Sequence, residues 1–300
     1  MFKNYSKNLK KYILIIGITA FLLSFINITT VQAANIEIIL NTLEVKQGEI
    51  IKATLKSDTI DLTQDKYTAE FAGRNFSFYI GKNNTLSSII AVSYWTESSI
   101  KNLRIKQNDK YIYHKNIKVI NGDFPESWIE VEEEKEKLVR PDEKDKALNK
   151  KLKEDNEKVA RARSNSSQQK LYSNNFVWPL EGTISTEFGA TRYVNGRLQS
   201  RHSGIDIAAD AGTDVMASNA GIVTLATNLT VTGKTIIIDH GQGIFSSYAH
   251  LNKMNVKKGE QINKGEKIGE IGSTGFSTGP HLHWTIKVSN IYVNPRSFIN

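Results

Sequence analysis

No cysteine occurs among the 300 residues. Disulfide crosslinks and a cysteine-borne lipid anchor are therefore excluded, and a structural zinc centre, usually rich in cysteine, is disfavoured. Stability must come from buried cores and from any ion the chain holds. Arginine-rich stretches and nucleic-acid recognition motifs are also missing, so no nucleic-acid partner is expected. The formal charge is 39 − 31 = +8. Four of those lysines (Lys3, Lys7, Lys10 and Lys11) precede the first apolar run, and without residues 1–34 the balance is 35 − 31 = +4. A mildly basic remainder favours an anionic surface as its surroundings.

The N-terminus combines those lysines with an apolar stretch from Tyr12 to Ile28 and a small-residue exit at Val31-Gln32-Ala33. This predicts a secretory leader over residues 1–34, cleaved after Ala33 or Ala34. The competing reading is an uncleaved anchor, for which the run is at the short limit for spanning hydrocarbon; only then is a membrane a partner. The expected location is the cell envelope or the exterior.

Three hundred residues exceed one average domain. Residues 35–121 contain seven alternating runs, among them IEIIL, YTAEF and YIYHKNIKVI, separated by turn signals such as Ala72-Gly73-Arg74-Asn75. They predict a β-sandwich of immunoglobulin-like type, with Phe71, Phe76, Phe78, Tyr94 and Trp95 supplying its core. No catalytic grouping falls there. Residues 122–172 are densely charged, with 12 acids and 11 bases between Glu126 and Arg163. Leu148, Leu152 and Val159 give a thin apolar seam, so a charged linker helix from about Asp142 to Arg163 is expected, followed by a flexible polar link over Ser164 to Gln169. Three apolar positions fall short of a sustained coiled-coil heptad, and the oligomeric state is left open. Residues 173–300 return to glycine-punctuated strands. The predicted class is mainly β throughout.

Five of the six histidines lie in that last block. His114 is read as an isolated surface or core residue, and His240 as a structural residue at the turn before Gly241. The informative set is His202 and Asp206 in RHSGID, His250 in SYAHLN, and His281 and His283 in GPHLHW. Imidazole and carboxylate together suit zinc. His281 and His283, two apart, share one face of a strand, roughly 6–7 Å apart. His202 and Asp206 would be roughly 13 Å apart on a straight strand, so the chain must bend at Ser203-Gly204, where glycine lacks the Cβ restriction. No HExxH helix is present.

The block from about Phe176 to Asn300 resembles the M23 family of zinc metallopeptidases, the lysostaphin or LytM type. WPLEGTISTEFGATR, RHSGIDIAADAGTDV, GKTIIIDHGQGIFSSYAHL, VKKGEQINKGEKIGEIGSTG and STGPHLHWTI carry the resemblance, in the family's order. It implies a LytM-type antiparallel β domain holding one zinc ion through His202, Asp206 and His283. It implies that His250 and His281 are the two catalytic histidines, with base and oxyanion-donor roles unassigned. It implies peptidoglycan as the partner, cleaved in its peptide stems or cross-bridges. Tyr193 is a candidate second oxyanion donor through its phenol. The alternative is a non-enzymatic module that binds the wall or activates another hydrolase. A third reading has the N-terminal part or the linker covering the groove and supplying a fourth ligand.

Overall fold

The computed structural model describes residues 29–33, 35–173 and 175–299. The chain is mainly β. The leader expected over residues 1–34 lies outside the described residues except for Thr29–Ala33, which pairs antiparallel with the strand Ile36–Leu40.

The alternating runs of the N-terminal block form two five-stranded sheets. Strand Ile36–Leu40 buries every second residue, as does Tyr67–Phe71, because successive side chains point to opposite faces. Leu40, Ile51, Leu55 and Ile90 from one sheet and Phe71, Phe76, Leu103 and Ile105 from the other are fully buried. Not all the aromatics expected in this core are there. Trp95 is 66% exposed, with the Arg201 guanidinium 5.1 Å from its ring centroid. It belongs to a junction with the C-terminal block, where Tyr94, Phe124 and Phe188 meet edge-on or tilted.

That junction joins the two blocks into one buried cluster running from Ile36 to Phe298. Gly48 shows how close they come. Its φ is +85°, and a Cβ there would lie 2.4 Å from the Phe188 ring, so glycine is required for conformation and for space. Asn294 N–H donates to the Gly48 carbonyl at 2.6 Å.

The charged segment departs from its expected form. The long helix is Lys146–Ala162, opened by Asp145, whose side chain accepts from Leu148 N–H. This is an ordinary N-cap, and Pro141-Asp142 stay outside the helix. Upstream lie two unforeseen elements, a strand Glu126–Ile129 and a short helix Glu133–Val139. The strand pairs parallel with Thr191–Val194, which no local pattern could signal because its partner is 65 residues away. The link over Ser164 to Gln169 is pinned rather than free. Asp239 accepts from Ser166 Oγ at 2.6 Å and from Ser167 N–H at 2.8 Å, and Gln242 N–H donates to the Ser167 carbonyl. Arg163, buried, donates to Ser247 Oγ at 2.7 Å.

The C-terminal block is built on a ten-stranded sheet. At its centre Ile205–Ala208, His281–Val288 and Ile244–Met254 run antiparallel to their neighbours, and Tyr248 and Trp284 fill the core beneath them.

Candidate metal centre

Three backbone features bring the histidines together. Strand Ile205–Ala208 pairs antiparallel with His281–Val288 so that Asp206 faces His283 and Ala208 faces His281. His281 and His283 therefore project from one face of one strand, as their spacing requires. His202 reaches the same place because the chain turns between Arg197–Arg201 and Ile205–Ala208. Gly204 is needed at that turn for space. An added Cβ would sit 2.2 Å from the Trp284 carbonyl oxygen, which is backbone and cannot swing away. His250 arrives by a bulge. The pairing of Gly233–Gly241 with Ile244–Met254 shifts register between Lys234/Leu251 and Ile236/Tyr248, and His250 takes φ +63° there. A bulge re-aims a side chain out of strand alternation, and a non-glycine residue at such φ stores strain of the kind that collects at functional sites.

The first three ligand atoms form a tight triangle. His202 Nε2 lies 2.9 Å from Asp206 Oδ1 and 2.9 Å from His283 Nδ1, and His283 Nδ1 lies 2.7 Å from Asp206 Oδ1. A tetrahedral zinc with ligands ~2.0–2.1 Å away separates them by roughly 3.3 Å, so the three sides need to open by only about half an ångström. Two imidazole nitrogens and a carboxylate oxygen are also the donor set that zinc takes. His202, Asp206 and His283 are the one group of three or more such side chains, among the described residues, whose ligand atoms converge in this way.

Each corner is held from behind. His202 Nδ1–H donates to the Glu187 carbonyl at 2.9 Å, which leaves the Nε2 lone pair facing the triangle. Arg192 Nη2 donates to Asp206 Oδ2 at 3.0 Å. Ser203 Oγ stands 3.4 Å from His283 Nε2. Burial alone would raise the Asp206 carboxyl, but contacts from His202 and His283 hold it well below the usual carboxylate range. Burial pushes His283 down to about 4, so its ring is neutral at working pH, the form that can ligate a metal.

His250 and His281 stand beside the triangle, their rings 4.8 Å apart. Both turn Nδ1 toward the loop that precedes His281. His250 Nδ1–H donates to the Thr274 carbonyl at 2.8 Å and His281 Nδ1–H to the Gly279 carbonyl at 2.9 Å. Burial, reinforced by His281 and His283, lowers His250 to about 3. His281 Nε2 lies 3.9 Å from Asp206 Oδ1. Of the five, Asp206, His250 and His281 open on a groove of about 520 Å³, lined also by Arg192, the loop Phe276–Pro280, Ser185 and Thr186, and the linker residues Ser127 to Glu130.

Sequence reasoning left out Arg192, although it lies in a motif it used; a single arginine has no spacing that marks it as a partner of Asp206. It also missed Trp128 and its neighbours. Tyr193 is stacked on Trp128, with centroids 4.1 Å apart and planes 8° from parallel; of that pair, Trp128 lines the groove. His240 is buried on Gly233–Gly241, 2.7 Å from both the Ala220 carbonyl and Ser246 Oγ, and so is a structural residue that joins strands in the core. His114 lies on Lys110–Ile120, in the N-terminal block and away from this groove.

Comparison with known proteins places these residues in context. A family model described as Peptidase family M23 matches residues 200–295. A 93-residue stretch is 41% identical to the peptidoglycan DD-endopeptidase ShyA of Vibrio cholerae, covering 31% of this chain and 22% of that protein. A 122-residue stretch is 40% identical to the DD-carboxypeptidase/endopeptidase Mpg of Neisseria meningitidis, covering 40% of this chain and 28% of that protein. The matches thus span less than a third of these relatives' length. A crystal structure from Pseudomonas aeruginosa, provisionally named a peptidase M23, superposes with a TM-score of 0.61 at 24% identity, covering 84% of this chain and 93% of that one; this likeness concerns the fold alone. All five site residues fall inside the matched stretch, and that stretch, residues 200–295, belongs to peptidase family M23.

Proposed function

We propose that the protein is an exported zinc endopeptidase that hydrolyses peptide bonds in the stems or cross-bridges of peptidoglycan. The carrying observation is the convergence of His202, Asp206 and His283 within one triangle, with two further imidazoles in the groove that Asp206 lines. The names of ShyA and Mpg, a peptidoglycan DD-endopeptidase and a DD-carboxypeptidase/endopeptidase, support the substrate class.

In this reading His202, Asp206 and His283 hold one zinc ion, which when bound supplies Lewis-acid polarisation of a carbonyl oxygen. Arg192 aims the Asp206 carboxylate by donating to its Oδ2. His250 and His281 keep Nδ1–H on loop carbonyls and present Nε2 to the groove. A neutral ring accepts a proton at that atom, and a protonated ring donates one to a developing oxyanion. Residues 1–34 act as the leader. The helices among the described residues are too short and polar to cross a membrane.

We assign residues 35–121 to an immunoglobulin-like sandwich that buttresses the site, since Tyr94 and Trp95 pack on Phe188 and Arg201 just ahead of His202. Residues 122–172 form the linker and 173–300 the peptidase domain. The test is incubation of the full chain with cell-wall sacculi. Release of peptide fragments that chelator abolishes and zinc restores is expected, as is its loss in His250→Ala and His281→Ala. No chelator-sensitive release from any wall type overturns the reading.

A further inference from the structure

The linker strand Glu126–Ile129 is an edge. It ends a three-stranded sheet and pairs on one side with Thr191–Val194. Its free side runs along the groove. Four consecutive residues, Ser127, Trp128, Ile129 and Glu130, line that groove together with Asp206, His250 and His281. Side chains alone would place only alternate residues on one wall; an unbroken run means that the backbone edge itself forms the wall. The hydrogen bonds give the phase. Thr191 N–H donates to the Pro125 carbonyl and Asn195 N–H to the Ile129 carbonyl. Because strand carbonyls alternate sides, residues 125, 127 and 129 face the partner strand, and Glu126, Trp128 and Glu130 turn their main-chain groups outward. Across the groove, Ser185 and Thr186 belong to Thr183–Thr186, the end strand of the ten-stranded sheet. Two strand edges therefore border one slot beside the metal centre.

The edge is also rigid. Glu136 of the short helix accepts from Asn195 Nδ2 at 2.8 Å and Arg140 Nη1 at 2.9 Å, and it pairs with Arg197. Lys135 Nζ donates to the Ser277 carbonyl at 2.6 Å, tying the linker to the loop that carries His281. A pre-ordered edge binds an extended chain at low entropic cost.

We propose that Trp128 and Glu130 bind the main chain of an extended substrate peptide as an added strand, which makes the linker part of the substrate site. This rests on the peptidase reading above. The substrate is a peptide segment recognised mainly through its amide groups, with the Trp128 ring as a flanking platform.

The test compares Glu130→Pro with Glu130→Ala in the full chain, on soluble dimers of cross-linked muropeptides. Proline removes one outward N–H and no bond to Thr191–Val194, and edge strands tolerate it in that position. Relative to Glu130→Ala, the proline variant is expected to raise KM roughly three- to tenfold, the equivalent of one hydrogen bond, with kcat and metal content equal. Equal KM values overturn the proposal. As a second measurement, amide exchange in His250→Ala, which leaves the dimer intact, should slow at Trp128 and Glu130 when the dimer is added. A dimer that binds and protects Thr274 to Gly279 while leaving those two amides unchanged overturns the edge pairing but not the peptidase reading. Failure of the unaltered chain to bind or cleave the dimer, or to release any fragment from sacculi, overturns both.

Discussion

His240 offers a quantitative check on the core that carries the site. Its ring is fully buried, 2.7 Å from the Ala220 carbonyl and 2.7 Å from Ser246 Oγ. Burial lowers its pKa from 6.5 to about 4, although the bond to Ala220 pulls part of that back. The unfolded chain titrates at the ordinary value and so binds more protons between these limits. Stability contributed by the neutral ring is full above about pH 6.5 and falls as pH drops toward 4. The whole gap is worth ~3.4 kcal/mol at ~1.36 kcal/mol per unit, of which about 2 kcal/mol is lost by about pH 5. Urea unfolding of the unaltered chain and of His240→Asn isolates this residue, since every other titrating group is common to both. The variant is expected to be the less stable at about pH 7.5, and the difference should shrink by about 2 kcal/mol at about pH 5. A difference constant across that range would show that His240 is not held neutral, and would refute the reasoning.

Arg192→Ala removes the donor behind Asp206 Oδ2; zinc affinity, measured by competition with a chromogenic chelator, should weaken by roughly 10- to 100-fold. Asp206→Asn should abolish zinc retention through dialysis, while near-ultraviolet circular dichroism still reports a packed core. Gly204→Ala forces a Cβ toward the Trp284 carbonyl and should cost about 1–3 kcal/mol by urea titration; an unchanged midpoint would contradict the close approach. Phe188→Ala empties the junction between the two blocks, with an expected loss of about 3–5 kcal/mol and faster amide exchange at His202.

The readable parts of the chain share a cause. Alternation along IEIIL and YTAEF reports one-sided burial directly, so the strands could be found without knowing their partners. His281 and His283 share a face because a strand repeats every two residues. Long-range pairing had no such signal. Glu126–Ile129 sits in a highly charged stretch, and its status as a strand comes from Thr191–Val194, beyond any local window. Trp95 looked like core because it is aromatic, yet it lies at a junction whose other half is contributed by Phe124 and Arg201.

By itself the sequence determined the mainly β class and marked out five candidate side chains and a bend between His202 and Asp206, because residue type and short spacing are local properties. Only the tertiary structure decided that Arg192 stands behind Asp206, that His250 enters by a bulge, and that the linker forms a wall of the groove. Those facts depend on which distant segments meet, and meeting is settled by burial and pairing across the whole chain.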